Sequence, residues 1–270
     1  MWVYAIVPCA CCQVPAAEGR FPTMDIALRI KSSLVGTPVE GIAITARSVL
    51  DFRRFRHPEL AELRAEGAWI SKALAKLLSR SSNCVDVGCH IGSFLSSVIS
   101  IAPNGAHVAF EPVPEKAKFL RSKFSSARIV QAAVADVRGL TQFHVNKSKP
   151  GYSRISATGE ITVPVTTIDD EITGAVDLLK IDVEGGELDV LKGAEKTLSK
   201  NRPVILFECG AESDLPNGYR KDLFNHLSAA GYQILTPCDF VFDKRAMGYE
   251  EFLRCGLYPF RAFNFIATPN

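Results

Sequence analysis

From about residue 80 onward the chain alternates short apolar runs with segments of helical period, and nothing else in the sequence constrains the fold as strongly. Apolar runs at 83–87, 107–110, 128–131, 176–181, 204–207 and 233–235 read as strands. Helical patterns at 91–101, 114–124, 187–198 and 220–230 follow most of them. Repeated strand–helix–strand units predict an α/β fold, a mostly parallel sheet with helices on both faces. A run at 263–267 closes that sheet as a seventh strand. Runs at 139–145 and 160–165 alternate like additional strands, joined by a polar stretch with Lys147, Lys149, Pro150, Gly151 and Tyr152. In such a sheet the ligand lies beyond the carboxyl ends of the strands.

The first strand ends in Asp86-Val87-Gly88-Cys89-His90-Ile91-Gly92, after which the helical period begins. Gly88 and Gly92 permit a tight turn, and the helix start offers free amide donors. The second strand ends in Phe110-Glu111-Pro112, so a carboxylate follows Gly88 by 23 residues and can accept both hydroxyls of a ribose. Together these features predict a nucleoside-containing cofactor. The glycine spacing is G-x-x-x-G, whereas nicotinamide cofactors use G-x-G-x-x-G for a pyrophosphate. Asp86 is a poor neighbour for a diphosphate and a good one for a cationic amino or sulfonium group, which favours S-adenosylmethionine. Asp136, after the third strand, falls where an adenine amino group can be hydrogen-bonded; a turn or cap aspartate is the competing reading.

Two further blocks carry a family resemblance. Lys180-Ile181-Asp182-Val183-Glu184-Gly185-Gly186-Glu187-Leu188 ends the fourth strand, and Pro203-Val204-Ile205-Leu206-Phe207-Glu208 forms the fifth. With the Asp86 and Glu111 motifs and Val165-Thr166-Thr167-Ile168-Asp169-Asp170, they resemble the FkbM family of S-adenosylmethionine-dependent methyltransferases over about residues 80–235. The resemblance implies a Rossmann-like class I methyltransferase fold and O-methylation of a hydroxyl on a sugar, glycan or polyketide-like product. The chain departs from the family at Cys89-His90, where Ala-Asn is more frequent, and at Gly186, where Ala is usual.

A sulfonium methyl is already activated, so the protein's task is alignment of an acceptor oxygen and removal of its proton. Asp182 is the first candidate for the base and Glu184 the second, with a cofactor contact or helix-start charge as the structural alternatives. Strand alternation puts Lys180 on the side of Asp182, where it holds the carboxylate ionised or meets the acceptor, with a structural ion pair as the equal alternative. Glu208 reads as an acceptor contact or, equally, as strand-end structure, and His90 is assigned to the cofactor loop rather than to catalysis. His107, His144 and His226 read as structural or surface residues. Asp169, Asp182 and Glu184 match no metal-ligand pattern, so no metal is expected. The competing functions are an NAD-dependent oxidoreductase and a catalytically silent methyltransferase fold that binds a partner. Asp86, Gly88, Gly92, Glu111, Asp182 and Glu184 together argue against silence.

The amino-terminal part is read separately. Residues 1–23 are expected to be a disordered leader or an early start ahead of Met24, with a signal peptide cleaved near Val14-Pro15-Ala16 as the competing reading. Residues 24–80 form a helical arm, amphipathic over 61–78, and 81–270 form the methyltransferase-like domain. Arg53, Arg54, Arg56 and His57 cluster in the arm as a solvated face, or as a contact for an acidic substrate. Lys+Arg 31 against Asp+Glu 29 leaves a net charge of +2, which argues against a nucleic-acid partner. Pro8 and Pro15 interrupt the one leading apolar run, so no membrane span is expected. The cysteine spacing suggests neither zinc nor a disulfide framework, and a cytoplasmic setting is expected.

Overall fold

The computed structural model of the chain describes residues 32–37, 57–144, 154–155 and 159–270. The expected leader at 1–23, the basic residues Arg53, Arg54 and Arg56, and all of the polar stretch at 147–153 lie outside the described residues.

Short runs of Val, Ile, Leu and Phe become strands because a sheet covered on both faces lets every side chain leave water. The strands are β1 (Cys84–Val87), β2 (His107–Phe110), β3 (Ala127–Val130), β4 (Ala133–Val134), β5 (Gly139–His144), β6 (Arg154–Ile155), β7 (Ile161–Thr166), β8 (Leu178–Ile181), β9 (Val204–Glu208), β10 (Tyr232–Leu235) and β11 (Asn264–Pro269). Seven of them form one sheet in the order β10-β11-β9-β8-β1-β2-β3. β3, β2, β1, β8 and β9 run parallel, while β11 inserts antiparallel between β9 and β10. This is the predicted mostly parallel, Rossmann-like α/β sheet, with strand order turning at β1 to open a crevice at the carboxyl ends.

The described helices are α1 (Ala61–Arg64), α2 (Glu66–Leu77), α3 (Ser93–Ile101), α4 (Pro114–Lys123), α5 (Ile168–Glu171), α6 (Glu187–Lys192), α7 (Glu195–Asn201), α8 (Tyr219–Ala229), α9 (Pro237–Val241) and α10 (Tyr249–Cys255). The period-two alternation of the strands sorts the core into two faces. On one face Cys84, Leu178, Leu206 and Ile266 pack against Ala73 and Leu74 of α2 and Val98 of α3. On the other, Val85, Leu179, Ile205 and Phe265 pack against Val190 and Leu191 of α6, Leu223 and Leu227 of α8 and Phe252 of α10. Asp86 and Lys180 share the parity of Cys84 and Leu178, so both fall on the α2–α3 face.

Two expected helices differ from their bounds by more than one residue, each at a glycine. The pattern at 91–101 starts helically only at Ser93, because Gly92 caps it in the left-handed region at φ +83°. The pattern at 187–198 is divided into α6 and α7 at Gly193, where a Cβ would stand 2.1 Å from the carbonyl oxygen of Ala135. The additional strands expected at 139–145 and 160–165 exist as β5 and β7, but in a separate four-stranded sheet of order β4-β7-β5-β6. Its small core joins Ala133, Ala135, Phe143, Val163 and Val165. Among the described residues no helix is long and apolar enough to cross a membrane.

Candidate active site

The register of the sheet assembles the charged residues. Asp86 on β1 lies opposite Lys180 on β8, and Asn264 on β11 lies opposite Glu208 on β9. Lys180 Nζ sits 3.2 Å from Asp86 Oδ1 and 3.1 Å from Asp182 Oδ2, with the Phe94 ring centroid 5.3 Å away. Burial by itself would lower the lysine pKa, but the Asp86 and Asp182 carboxylates outweigh it and raise the group above its ordinary value. Lys180 is therefore a permanent ammonium shared by two acids. The alternation argument placed Lys180 and Asp182 on one side, and their 3.1 Å contact agrees. Asp86 is 1% exposed, so the cation beside it is supplied by the protein. Burial, with Asp86 next to it, keeps the Cys89 thiol well above its usual range and protonated.

The turn after β1 and the turn after β8 interlock. Asp182 N donates to Val87 O at 3.0 Å, and a Cβ on Gly88 would come 1.8 Å from Asp182 O at a backbone φ of +83°. A Cβ on Gly92 would come 2.4 Å from the Phe124 ring. Both glycines thus permit close approach of protein to protein at the mouth of the crevice. Gly88 N and Cys89 N donate to Phe110 O, which ties this turn to the end of β2.

There Glu111 is buried, accepting His90 N on Oε2 at 3.0 Å and Val113 N on Oε1 at 2.9 Å. His90 joins the site through its backbone, in the left-handed region at φ +54°. Burial pushes the Glu111 carboxyl up, opposed by the nearby Lys116 and the two amides. A carboxylate has about four lone-pair sites, so acceptor capacity remains on both oxygens.

The segment after β8 concentrates acid. Glu184 is held at φ +58° and Gly185 at φ +96°, with open space where a Cβ on Gly185 would point. Buried Glu187 fixes this turn, accepting Gly185 N at 3.0 Å and the Tyr219 hydroxyl at 2.5 Å. Glu208 closes the group from the end of β9. Burial, then Asp182 and Glu184, push its carboxyl up to about 9. The folded protein consequently holds a Glu208 proton that the unfolded chain releases near 4.5, and stability falls as pH rises between about 4.5 and about 9. Glu208→Gln is expected to remove that slope, so its Tm should gain on the parent steadily from pH 5 to pH 9. Parallel Tm curves for the two proteins would contradict the assignment.

The structure brings together Asp86, Gly88, His90, Gly92, Glu111, Lys180, Asp182, Glu184 and Glu208 around the carboxyl ends of β1, β2, β8 and β9. Among the described residues, Asp136 makes no hydrogen bond or ion pair with any of them. It is exposed, follows β4 of the second sheet, and its Cα adjoins Gly193 at the far end of α6. Asp169 accepts Lys196 N and Thr197 N at 2.8 Å each, fastening α5 to the start of α7. Sequence reasoning passed over Glu187, Tyr219 and Phe94. Glu187 carried one signal, a glutamate directly after two glycines at a helix start; Tyr219, 32 residues away on another helix, carried none.

Against known proteins, residues 86–234 match the methyltransferase FkbM domain family. The 2-O-methyltransferase NoeI of Sinorhizobium fredii is 25% identical over 160 residues, which cover 49% of this chain and 66% of that protein. A methyltransferase FkbM structure from Methylobacillus flagellatus is 21% identical with a TM-score of 0.47, covering 71% of this chain and 44% of that one. A precorrin-6y C5,15-methyltransferase from Geobacter metallireducens is 16% identical with a TM-score of 0.39, covering 60% and 70%. The chain thus spans just under two thirds of its curated relative and less than half of the FkbM structure's chain. Because the family match takes in more than half of the 270 residues, and the glycine turn, Glu111 and the Lys180–Glu208 segment all fall within it, the chain belongs to the FkbM family of methyltransferases.

Proposed function

We propose that this chain methylates a hydroxyl oxygen, on a sugar, glycan or polyketide-like molecule, using S-adenosylmethionine. The observation that carries the cofactor is Glu111, a buried carboxylate whose oxygens each take one backbone N–H and keep further acceptor capacity beside the glycine turn. That donor–acceptor set fits the two hydroxyls of a ribose. When bound, the cofactor supplies a methyl group on a positively charged sulfur. The acids at the ends of β8 and β9 fit such a cation, which supports S-adenosylmethionine over NAD. The relative NoeI is by name a 2-O-methyltransferase, which supports oxygen as the accepting atom.

In this reading Glu111 holds the ribose, and the loop of Gly88, His90 and Gly92 shapes the wall beside it. Asp182 takes the proton of the acceptor hydroxyl, Lys180 fixes the Asp182 carboxylate, and Glu208 contacts the acceptor. Glu184 is the second candidate for the base. Calorimetric titration with S-adenosylmethionine, S-adenosylhomocysteine and NAD tests the cofactor. The two adenosyl-sulfur ligands should bind and NAD should not, and Glu111→Ala should weaken binding about 10- to 100-fold through the lost charge-assisted hydrogen bonds. Binding of NAD alone, or of none of the three, would sink the proposal.

A further inference from the structure

Acidic side chains gather around Glu208 in the crevice. Asp182 and Glu184 approach Glu208 from the turn after β8, and Glu187 approaches from α6. Lys180 divides its ammonium between Asp86 and Asp182. On the β11 side the neighbour of Glu208 is Asn264, whose amide Nδ2 donates to Glu66 Oε2 of α2 at 2.7 Å. Glu66 Oε1 accepts the N–H groups of Phe263 and Asn264, at 2.8 Å each, so this neighbour is uncharged and already committed.

Ile181 pairs with Phe207 across β8 and β9, which brings Asp182 and Glu208 side by side on the face that carries Lys180. Two carboxylates at neighbouring positions resist being ionised together, so one of them keeps its proton more firmly. We propose that Glu208, beside Asp182, keeps its proton in the ligand-free protein, and that a cation entering the crevice expels it. The pair is then fully ionised only when a positively charged donor is in place, where an acceptor hydroxyl has to give up its own proton.

The direction follows from charge, and the size is adequate. A unit positive charge about 5 Å away, at an effective dielectric constant near 20, weakens a carboxyl's hold on its proton about 100-fold. The raised Glu208 carboxyl is poised to respond, since it is still protonated near neutrality. The expelled proton passes to solvent, and no bond other than O–H is broken.

This inference rests on the S-adenosylmethionine reading and is tested apart from turnover. Titrations at pH 8 in buffers of different ionisation enthalpy count the protons released on binding. S-adenosylmethionine and its amine analogue sinefungin should release nearly one proton per site more than S-adenosylhomocysteine, whose sulfur is neutral. Glu208→Gln should bind the same ligands without that excess. Independently, the ligand-free parent should show the infrared carbonyl band of a protonated carboxylic acid, lost on adding S-adenosylmethionine and absent in Glu208→Gln. Binding of all three ligands with equal proton release, or no such band in the parent, overturns the inference and leaves the cofactor reading standing. Failure of every adenosyl ligand to bind overturns both.

Discussion

Replacing Lys180 with methionine is expected to destabilise the fold by about 3–5 kcal/mol, the cost of leaving a buried charge without its partner. Methionine fills nearly the same space, so the loss isolates the ammonium rather than a cavity. Asp86 is the reason for the size: it is 1% exposed, and Lys180 is its ion-pair partner. Urea unfolding measures the effect. A variant within about 0.5 kcal/mol of the parent at pH 8, the range of ordinary surface changes, would show that the pair is not structural.

Asp182→Asn is expected to lower kcat by about 10²- to 10⁴-fold, the usual contribution of a positioned general base. Asparagine keeps the size of the side chain and its hydrogen bond to Lys180, while losing the ability to accept a proton. Binding of S-adenosylhomocysteine should therefore persist, which separates a chemical defect from a collapsed site. Single-turnover rates with a hydroxyl acceptor supply the measurement, with Glu184→Gln run beside it. Full activity in Asp182→Asn and its loss in Glu184→Gln would transfer the role of base to Glu184.

Much of this was legible before any coordinates. The run expected at 107–110 is β2 residue for residue, and the expected strands at 83–87 and 204–207 differ from β1 and β9 by one residue at one end. Strands buried on both faces announce themselves as apolar runs whatever surrounds them. The break at Gly193 was passed over although a glycine within a helical run is a stop signal; what local pattern does not show is the Ala135 carbonyl against which that glycine packs. α9 and α10 went unread, since short helices of five and seven residues give too few turns for a clear period. In the site, the types and order of Asp86, Glu111, Lys180 and Asp182 carried the expectation of a nucleoside cofactor and a base. The pairing of Asp86 with Lys180 depends on strand register, and the seat of Asp136 on which sheet the chain enters after β3. Neither property is written in local pattern.

The second sheet gives the fold a modular character. After β3 the chain departs through β4 and comes back along β7, and those two strands run parallel in register, Ala133 beside Val165 and Val134 beside Thr166. Exit and return are thereby stitched to each other rather than to the crevice. A change of length between β4 and β7 is therefore expected to leave the strands that carry Glu111, Lys180 and Asp182 in place as long as the pairing of Ala133 with Val165 and Val134 with Thr166 is kept.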